Sequence, residues 1–244
     1  MNPVKEGQRI PEVAFHQRVN GDLASVTSRE IFSGKKVIVF ALPGAFTPTC
    51  SSTHLPRYEE LSEVFRSVGV DEIVCVSVND AFVMEAWGRD SGAKKVRLLA
   101  DGNGDFSREM GLLVDKSAIG FGKRSWRYSM YVNNGVIEKL FVEPEKPGDP
   151  FEVSDADTML GYLAPGIKKP AEVTIFTKPG CQFCAEAKRL LTERGHRYEE
   201  IELAGKISYA TLRSVTGQNT APQIFIDGEH VRGLDGLKVH FGVK

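Results

Sequence analysis

In the N-terminal part of the chain, short apolar runs alternate with longer amphipathic stretches. The runs at 35–43 and 72–79 are typical of strands buried on both faces, and helical periodicity follows each of them, at 51–69 and 81–92. Two further strands, 127–132 and 136–143, are joined by an Asn-Gly turn, whose residues tolerate positive φ. The pattern predicts a sheet covered by helices.

After residue 171 the pattern restarts in miniature. Strands are predicted at 172–177, 197–203, 223–227 and 229–233, the last two joined at Asp227-Gly228, with helices at 182–195, 208–217 and near the C terminus. The order β-α-β-α-β-β-α, opening with a strand, a C-x-x-C pair and a helix, indicates a minimal thioredoxin-like domain.

Residues 164–170 separate these two patterns. They hold two prolines, one glycine and paired lysines, which are typical of a linker. We therefore expect an α/β protein with two thioredoxin-fold domains, residues 1–163 and 171–244, each a central mixed sheet flanked by helices.

Composition and charge narrow the setting. The chain has 244 residues, of which 41% are hydrophobic and 26% charged, as in ordinary globular proteins. It shows neither an apolar N-terminal segment nor a run long enough to span a bilayer, so we expect a cytoplasmic protein with no membrane or nucleic-acid partner. Residues 1–165 carry 19 Lys and Arg against 23 Asp and Glu, and 166–244 carry 12 against 9. This difference predicts either weak attraction between the halves or ordinary surface variation.

The four cysteines point to redox chemistry. Cys181 and Cys184 form a C-x-x-C pair, while Cys50 and Cys75 stand alone. Zinc would need two more ligands close by, so no metal is expected, although an Fe–S or zinc ligand pair and a structural disulfide are alternatives for the C-x-x-C. Cys75 lies in an apolar run and is interpreted as core packing, with a redox role as the alternative.

Cys50 follows a buried strand and begins a helix. Free N–H groups and the helix dipole at such a position favour the thiolate, the Thr47 hydroxyl can lie beside the sulfur, and Pro43 helps to fix the loop. Reduction of a peroxide also needs a cationic donor facing the departing oxygen.

The motif P-x-x-x-T-x-x-C resembles the active site of peroxiredoxins. The chain is similar to their type-five class at 40–56, 76–87 and 127–130, and the resemblance spans about residues 1–163. It implies that Cys50 is the peroxidatic residue, oxidised to a sulfenic acid, that Pro43 and Thr47 shape its pocket, and that Arg127 is the cation.

Several nearby residues have open interpretations. His54, four residues after Cys50, is either an acid–base group or, as we favour, a packing or surface residue. Gly102 and Gly104 indicate a turn more than a nucleotide site. Arg124 and Trp126 either line the pocket or pack.

Many type-five relatives resolve the sulfenic acid with a second cysteine late in the same domain. Residues 128–163 contain none. The sulfenic acid must then react with an external thiol, and glutathione would leave a mixed disulfide on Cys50.

Residues 171–244 resemble glutaredoxins, through the run TKPGC-x-x-C, the T-x-P at 220–222 and a Gly-Asp turn near the end. The resemblance implies that Cys181 is the attacking thiolate and Cys184 the resolving residue. It also implies a cis-proline loop and a set of glutathione contacts: Lys178, Phe183, Gln218, Thr220, Ala221, Pro222, Gly233, Leu234 and Asp235. The segment 232–236 departs from the Gly-Gly pattern usual there, and Arg232 is an alternative partner for a glutathione carboxylate.

We predict a glutathione-dependent peroxidase for hydrogen peroxide and organic hydroperoxides, acting in antioxidant defence. It would hold no bound cofactor and would draw electrons from glutathione and, through external glutathione reductase, from NADPH. We expect a homo-oligomer, a dimer or tetramer with domain contacts between chains. A peroxide sensor that oxidises client proteins and a redox-switched holdase are the alternatives.

Overall fold

The computed structural model describes residues 3–204 and 207–243, and the chain divides into two compact units, residues 1–167 and 168–244. In each unit a central mixed sheet is flanked by helices, which confirms the predicted fold class. The boundary between the units falls within 164–170. No helix in the described ranges is long and apolar enough to cross a membrane.

Unit 1 is built on a seven-stranded sheet and a short two-stranded one. The strands are β1 (Ala14–Val19), β2 (Asp22–Thr27), β3 (Lys36–Leu42), β4 (Glu72–Ser77), β5 (Val96–Ala100), β6 (Leu113–Asp115), β7 (Lys123–Ser125), β8 (Tyr128–Asn133) and β9 (Val136–Val142). The helices are α1 (Ser28–Phe32), α2 (Leu55–Glu60), α3 (Ser62–Ser67), α4 (Ala81–Asp90), α5 (Asp105–Glu109) and α6 (Ala156–Leu163), with a π-helical turn at Cys50–His54 and a 3₁₀ turn at Ser117–Ile119.

The large sheet has the order β2-β1-β5-β4-β3-β8-β9, with β3, β4 and β5 parallel and the other pairs antiparallel. Strand β3 is an interior strand, paired with β4 on one side and β8 on the other, and it is buried on both faces. Ile38 and Phe40 pack under α2, α4 and α6, while Val37 and Val39 pack under α1 and α5. The continuous apolar run of this strand therefore contributes side chains to two hydrophobic cores, one on each face of the sheet.

The segment predicted as a single helix at 51–69 is interrupted. It begins as the π-helical turn Cys50–His54, in which the Leu55 N–H donates to the carbonyl of Cys50, and it breaks again at Leu61 between α2 and α3. Pro56 has no N–H to donate four residues back, and its ring crowds the preceding turn. This explains the wider turn before it.

Unit 2 has a four-stranded sheet of order β11-β10-β12-β13. Its elements are β10 (Val173–Thr177), α7 (Gln182–Glu193), β11 (Glu199–Glu202), α8 (Tyr209–Thr216), β12 (Gln223–Ile226), β13 (Glu229–Arg232) and α9 (Leu234–His240), in the predicted order. Helices α7 and α9 pack on one face of β10 and α8 lies over the other.

Candidate active sites

The loop before Cys50, residues 43–49, is fixed by bonds to its backbone. The side-chain oxygen of Asn79, which follows β4, accepts from the N–H of Ala45 at 3.0 Å. The Thr47 hydroxyl donates to the carbonyl of Gly44 at 2.9 Å, and Pro43 is buried where β3 ends. These bonds therefore fix the conformation of the loop that leads into Cys50.

Cys50 and Arg127 meet in the interior of unit 1. Cys50 is completely buried at the start of the π-helical turn, and Arg127, directly before β8, is 1% exposed. The Nη2 of Arg127 donates to Cys50 Sγ at 3.5 Å. A buried guanidinium at this distance stabilises a thiolate more than a thiol.

His54 lies on the other side of the guanidinium. The favoured interpretation, a packing or surface residue, holds as packing and not as a surface position, and it leaves out the contact between the ring and Arg127. The residue is buried, and its Nδ1 lies 3.0 Å from Arg127 Nη1. Because a guanidinium can only donate, Nδ1 must accept, which leaves the proton on Nε2 to bond the Ser154 carbonyl at 3.2 Å. Burial and the charge of Arg127 hold the pKa of His54 well below its usual range, so the imidazole is neutral.

A segment that sequence reasoning did not connect with the site, residues 143–154, also reaches Arg127. The Asp149 carboxylate forms an ion pair with Arg127 Nη2, and the Phe151 ring lies 5.3 Å from the guanidinium carbon and 4.8 Å from the His54 ring. Burial alone would lower the pKa of Arg127, but the bond to Asp149 and the charges of Cys50 and Asp149 raise it above its usual value. The cation is permanent.

Buried Glu143 anchors this segment. Its carboxylate accepts from the N–H groups of Glu152, Val153 and Ser154 at 2.8 to 2.9 Å, and from the Ser154 hydroxyl at 2.7 Å. The Ser154 carbonyl in turn accepts from the Tyr58 hydroxyl at 3.1 Å. The segment is thereby tied to both β9 and α2.

The other residues of unit 1 that sequence reasoning singled out make their contacts with groups other than the Cys50 sulfur. Cys75 is buried in β4, and burial first, with the nearby charge of Cys50, raises its pKa well above the usual value. The Trp126 indole N–H donates to the Glu143 carbonyl at 2.8 Å, and Arg124 bonds the Val78 carbonyl. Gly104 adopts φ of +70° before α5, as a turn requires.

The second thiol site lies where β10 leads into α7. Cys181 is the N-cap of α7, and its Sγ accepts from the Cys184 N–H at 3.1 Å. The two cysteines are joined as a disulfide, with their Cα atoms 5.2 Å apart, and Cys184 is the more buried.

The loop before β12 closes over Cys181. The Ala221-Pro222 peptide bond is cis, and the Ala221 carbonyl oxygen lies 3.7 Å from Cys181 Sγ. The buried Gln223 side chain donates to the Thr220 carbonyl at 2.8 Å, and its oxygen accepts from His230 Nε2 at 2.8 Å. Sequence reasoning missed this support.

The other residues predicted to contact glutathione lie around α7, β12 and α9. Lys178 and Gln218 are exposed, and Phe183 is 65% exposed on the first turn of α7. Gly233 caps α9, with Leu234 and Asp235 in its first turn, and a Cβ at position 233 would lie 3.3 Å from the Pro222 carbonyl. Gly233 thus approaches the cis-proline loop closely.

Comparison with known proteins identifies the family. Residues 5–160 match the redoxin family and residues 173–231 the glutaredoxin family. A hybrid peroxiredoxin of Haemophilus influenzae, hyPrx5, is 55% identical in an alignment covering 97% of this chain and 98% of that protein. The chain belongs to the peroxiredoxins, as a peroxiredoxin–glutaredoxin fusion.

Further similarities fall on the peroxiredoxin domain. A Synechocystis peroxiredoxin is 57% identical, with 69% of this chain and 98% of that protein covered. The crystal structure of reduced Prx3 from Vibrio vulnificus in complex with hydrogen peroxide matches with a TM-score of 0.62 and 45% identity, over 66% of this chain and 99% of that one. The chain is a thiol peroxidase of antioxidant defence, and therefore an oxidoreductase.

The described residues of this peroxiredoxin contain no group of three or more His, Cys, Asp or Glu side chains that could hold a metal ion. Of the residues that sequence reasoning did not place in the site, His54 carried a signal, its i+4 spacing from Cys50. Asp149 carried none, because it lies in irregular structure far along the chain.

Proposed function

We propose that this peroxiredoxin is a glutathione-dependent peroxidase in which its own glutaredoxin domain removes glutathione from Cys50. The observation that carries the proposal is the cysteine inventory. Besides Cys50, the peroxiredoxin domain holds only Cys75, which is buried and whose raised pKa disfavours the thiolate. The resolving thiol must come from outside that domain.

In the first step the Cys50 thiolate attacks one peroxide oxygen. An S–O bond forms as the O–O bond breaks, giving the sulfenic acid and, after one proton is taken up, water or an alcohol. Arg127 supports both ends of this step, because its charge stabilises the thiolate and then the departing oxygen. The guanidinium cannot lose its proton near neutral pH, so it acts by charge and hydrogen bonding.

Three thiol steps complete the cycle. Glutathione attacks the sulfenic sulfur and releases water, leaving a mixed disulfide on Cys50. The Cys181 thiolate attacks the glutathione sulfur, which frees the Cys50 thiolate and places the glutathionyl group on Cys181. A second glutathione then attacks that group and leaves as glutathione disulfide. One peroxide thus consumes two glutathione molecules, which external glutathione reductase regenerates with NADPH.

The glutaredoxin domain offers a matching surface for glutathione. When the cysteine pair is reduced, the Cys184 N–H bond and the start of α7 favour the Cys181 thiolate. Backbone groups of Ala221 can pair with an extended tripeptide, and exposed Lys178 supplies a cation for a carboxylate. The first turn of α9 would receive the γ-glutamyl end.

The proposal extends to the setting. We expect the enzyme to act in the cytoplasm, where glutathione keeps thiols reduced. We also expect a homo-oligomer of two or four chains, which sedimentation equilibrium of the reduced protein measures directly.

A coupled assay that follows NADPH oxidation with glutathione and glutathione reductase tests the cycle. Cys50→Ser and Cys181→Ser should lose turnover, whereas Cys184→Ser should keep a substantial part, since the second glutathione bypasses it. Full activity of Cys181→Ser with glutathione alone contradicts the relay. Mixing the two inactive variants shows whether the exchange occurs between chains, because only that route restores turnover.

A further inference from the structure

Asp149 and Cys50 share one nitrogen of Arg127. Nη2 donates to Cys50 Sγ at 3.5 Å and also to the Asp149 carboxylate, while Nη1 bonds His54. Arg127 Nε is buried and has no hydrogen-bond partner among the described residues. The orientation of the guanidinium therefore depends on His54 at one Nη and Asp149 at the other.

An arginine held at only one of these nitrogens could rotate about its terminal bonds. His54 bonds one nitrogen, and the Phe151 ring covers part of the guanidinium without fixing its rotation. Asp149 supplies the second point, as its carboxylate is a strong and directional acceptor for a guanidinium. Two acceptors on different nitrogens fix the plane and hold Nη2 towards Sγ.

Asp149 can play this part because its segment is anchored on both sides. Glu143, which precedes Asp149 in the chain, accepts through its carboxylate from the N–H groups of residues 152–154, which follow Asp149. Both Glu143 and Ser154 are buried, so the two ends of the segment are held together. The Asp149 side chain itself is 41% exposed, so it lies at the solvent edge of the site.

We propose that Asp149 is a positioning residue for peroxide reduction, acting by accepting the Arg127 Nη2 hydrogen bond and so aiming the guanidinium at the reacting sulfur and oxygen. This inference rests on the proposed role of Cys50. The residue does not touch the reacting atoms, so its effect on rate must pass entirely through Arg127.

The test is the second-order rate constant for oxidation of the reduced full-length chain by hydrogen peroxide. Stopped-flow tryptophan fluorescence can follow it, since the Trp87 indole bonds the hydroxyl of Ser51, next to Cys50. Asp149→Ala should lower this constant by roughly ten- to hundredfold, the loss expected from a misdirected catalytic group. Asp149→Asn keeps an acceptor oxygen at the same reach and should stay within about threefold of wild type on the same reasoning.

A double-mutant cycle separates positioning from general damage. In an Arg127→Ala background, Asp149→Ala should cause no further loss, because nothing remains to position. The control is Glu152→Ala, which removes a surface ion pair with Lys146 from the same segment and should leave the constant unchanged. Matching tryptophan unfolding curves would show that the variants fold.

Each contrary outcome has a distinct meaning. A wild-type or higher constant for Asp149→Ala overturns the inference, as does an equal loss in Asp149→Asn or a full additional loss in the Arg127→Ala background. Peroxide reduction that persists in Cys50→Ser contradicts the proposed function instead.

Discussion

Replacing His54 by leucine tests the buried histidine as a source of acid sensitivity. In the folded protein the imidazole is neutral, since it accepts from Arg127 and is enclosed by aromatic rings, including those of Phe40 and Phe151. Arg127 is the charged group facing it, and Tyr58, close to its ring, has a pKa raised far above neutral and stays uncharged. A second positive charge here would be strongly unfavourable.

The sign and size of the effect follow from proton linkage. Below pH 6.5, the usual value, His54 takes up a proton in the unfolded chain but not in the folded one, because its folded pKa is depressed. Stability from this residue is therefore complete above about pH 6.5 and falls by about 1.4 kcal/mol for each pH unit below it, until the folded pKa is reached. Between pH 7.5 and 5.5 the loss is about 1.4 kcal/mol.

Urea unfolding at these two pH values measures the difference. Both tryptophans, Trp87 and Trp126, lie in the peroxiredoxin domain, so their fluorescence reports that domain alone. His54→Leu should lower stability at both pH values but show a pH-dependent loss smaller than wild type by about 1.4 kcal/mol. His16→Gln, a change at a partly exposed histidine of β1, should keep the wild-type difference. An unchanged pH dependence in His54→Leu would refute the neutral, buried assignment.

Three further outcomes are expected. Glu143→Gln puts an amide donor against backbone N–H groups and should destabilise the peroxiredoxin domain by about 3 kcal/mol, with unchanged urea midpoint as the contrary result. Gly236→Ala would place a Cβ 1.9 Å from the Val231 carbonyl oxygen. It should cost the glutaredoxin domain about 3 kcal/mol in calorimetry, and an unshifted transition would show that the backbone yields. Cys75, whose raised pKa disfavours the thiolate, should react with iodoacetamide more slowly in the native reduced chain than Cys50, whose sulfur accepts a hydrogen bond from Arg127; equal labelling rates in peptide mass spectrometry would contradict this difference.

The glutaredoxin domain was predictable element by element because turn residues separate its helices and strands. Gly217 ends α8 with φ of +68°, and Asp227 and Gly228 both adopt the positive φ of the predicted turn. In the peroxiredoxin domain the hairpin of β1 and β2 was missed although Asn20-Gly21 marks it, because its strands alternate weakly. Strands β6 and β7 have three residues each, too few to show a period of two.

In the candidate sites, too, the residues with a local sequence signal were predictable and those brought in by tertiary structure were not. Cys50, Thr47 and the C-x-x-C pair are local motifs, which a linear pattern can reveal. The partners of Arg127 arise from tertiary structure, since Asp149 reaches it from an irregular segment with no periodicity. Their roles remain predictions that the kinetic variants test.

The π-helical turn at Cys50–His54 also changes the rotational phase of the chain. One additional residue in a helical turn rotates the residues before the turn by about 100° relative to the residues after it. The packing face of α2, with Leu55 and Tyr58 buried, is thereby decoupled from the direction in which Cys50 points. The core can fix α2 while the thiol is oriented separately towards Arg127, so sequence changes that tighten this turn to a regular helix would redirect the sulfur even where Leu55 and Tyr58 keep their packing.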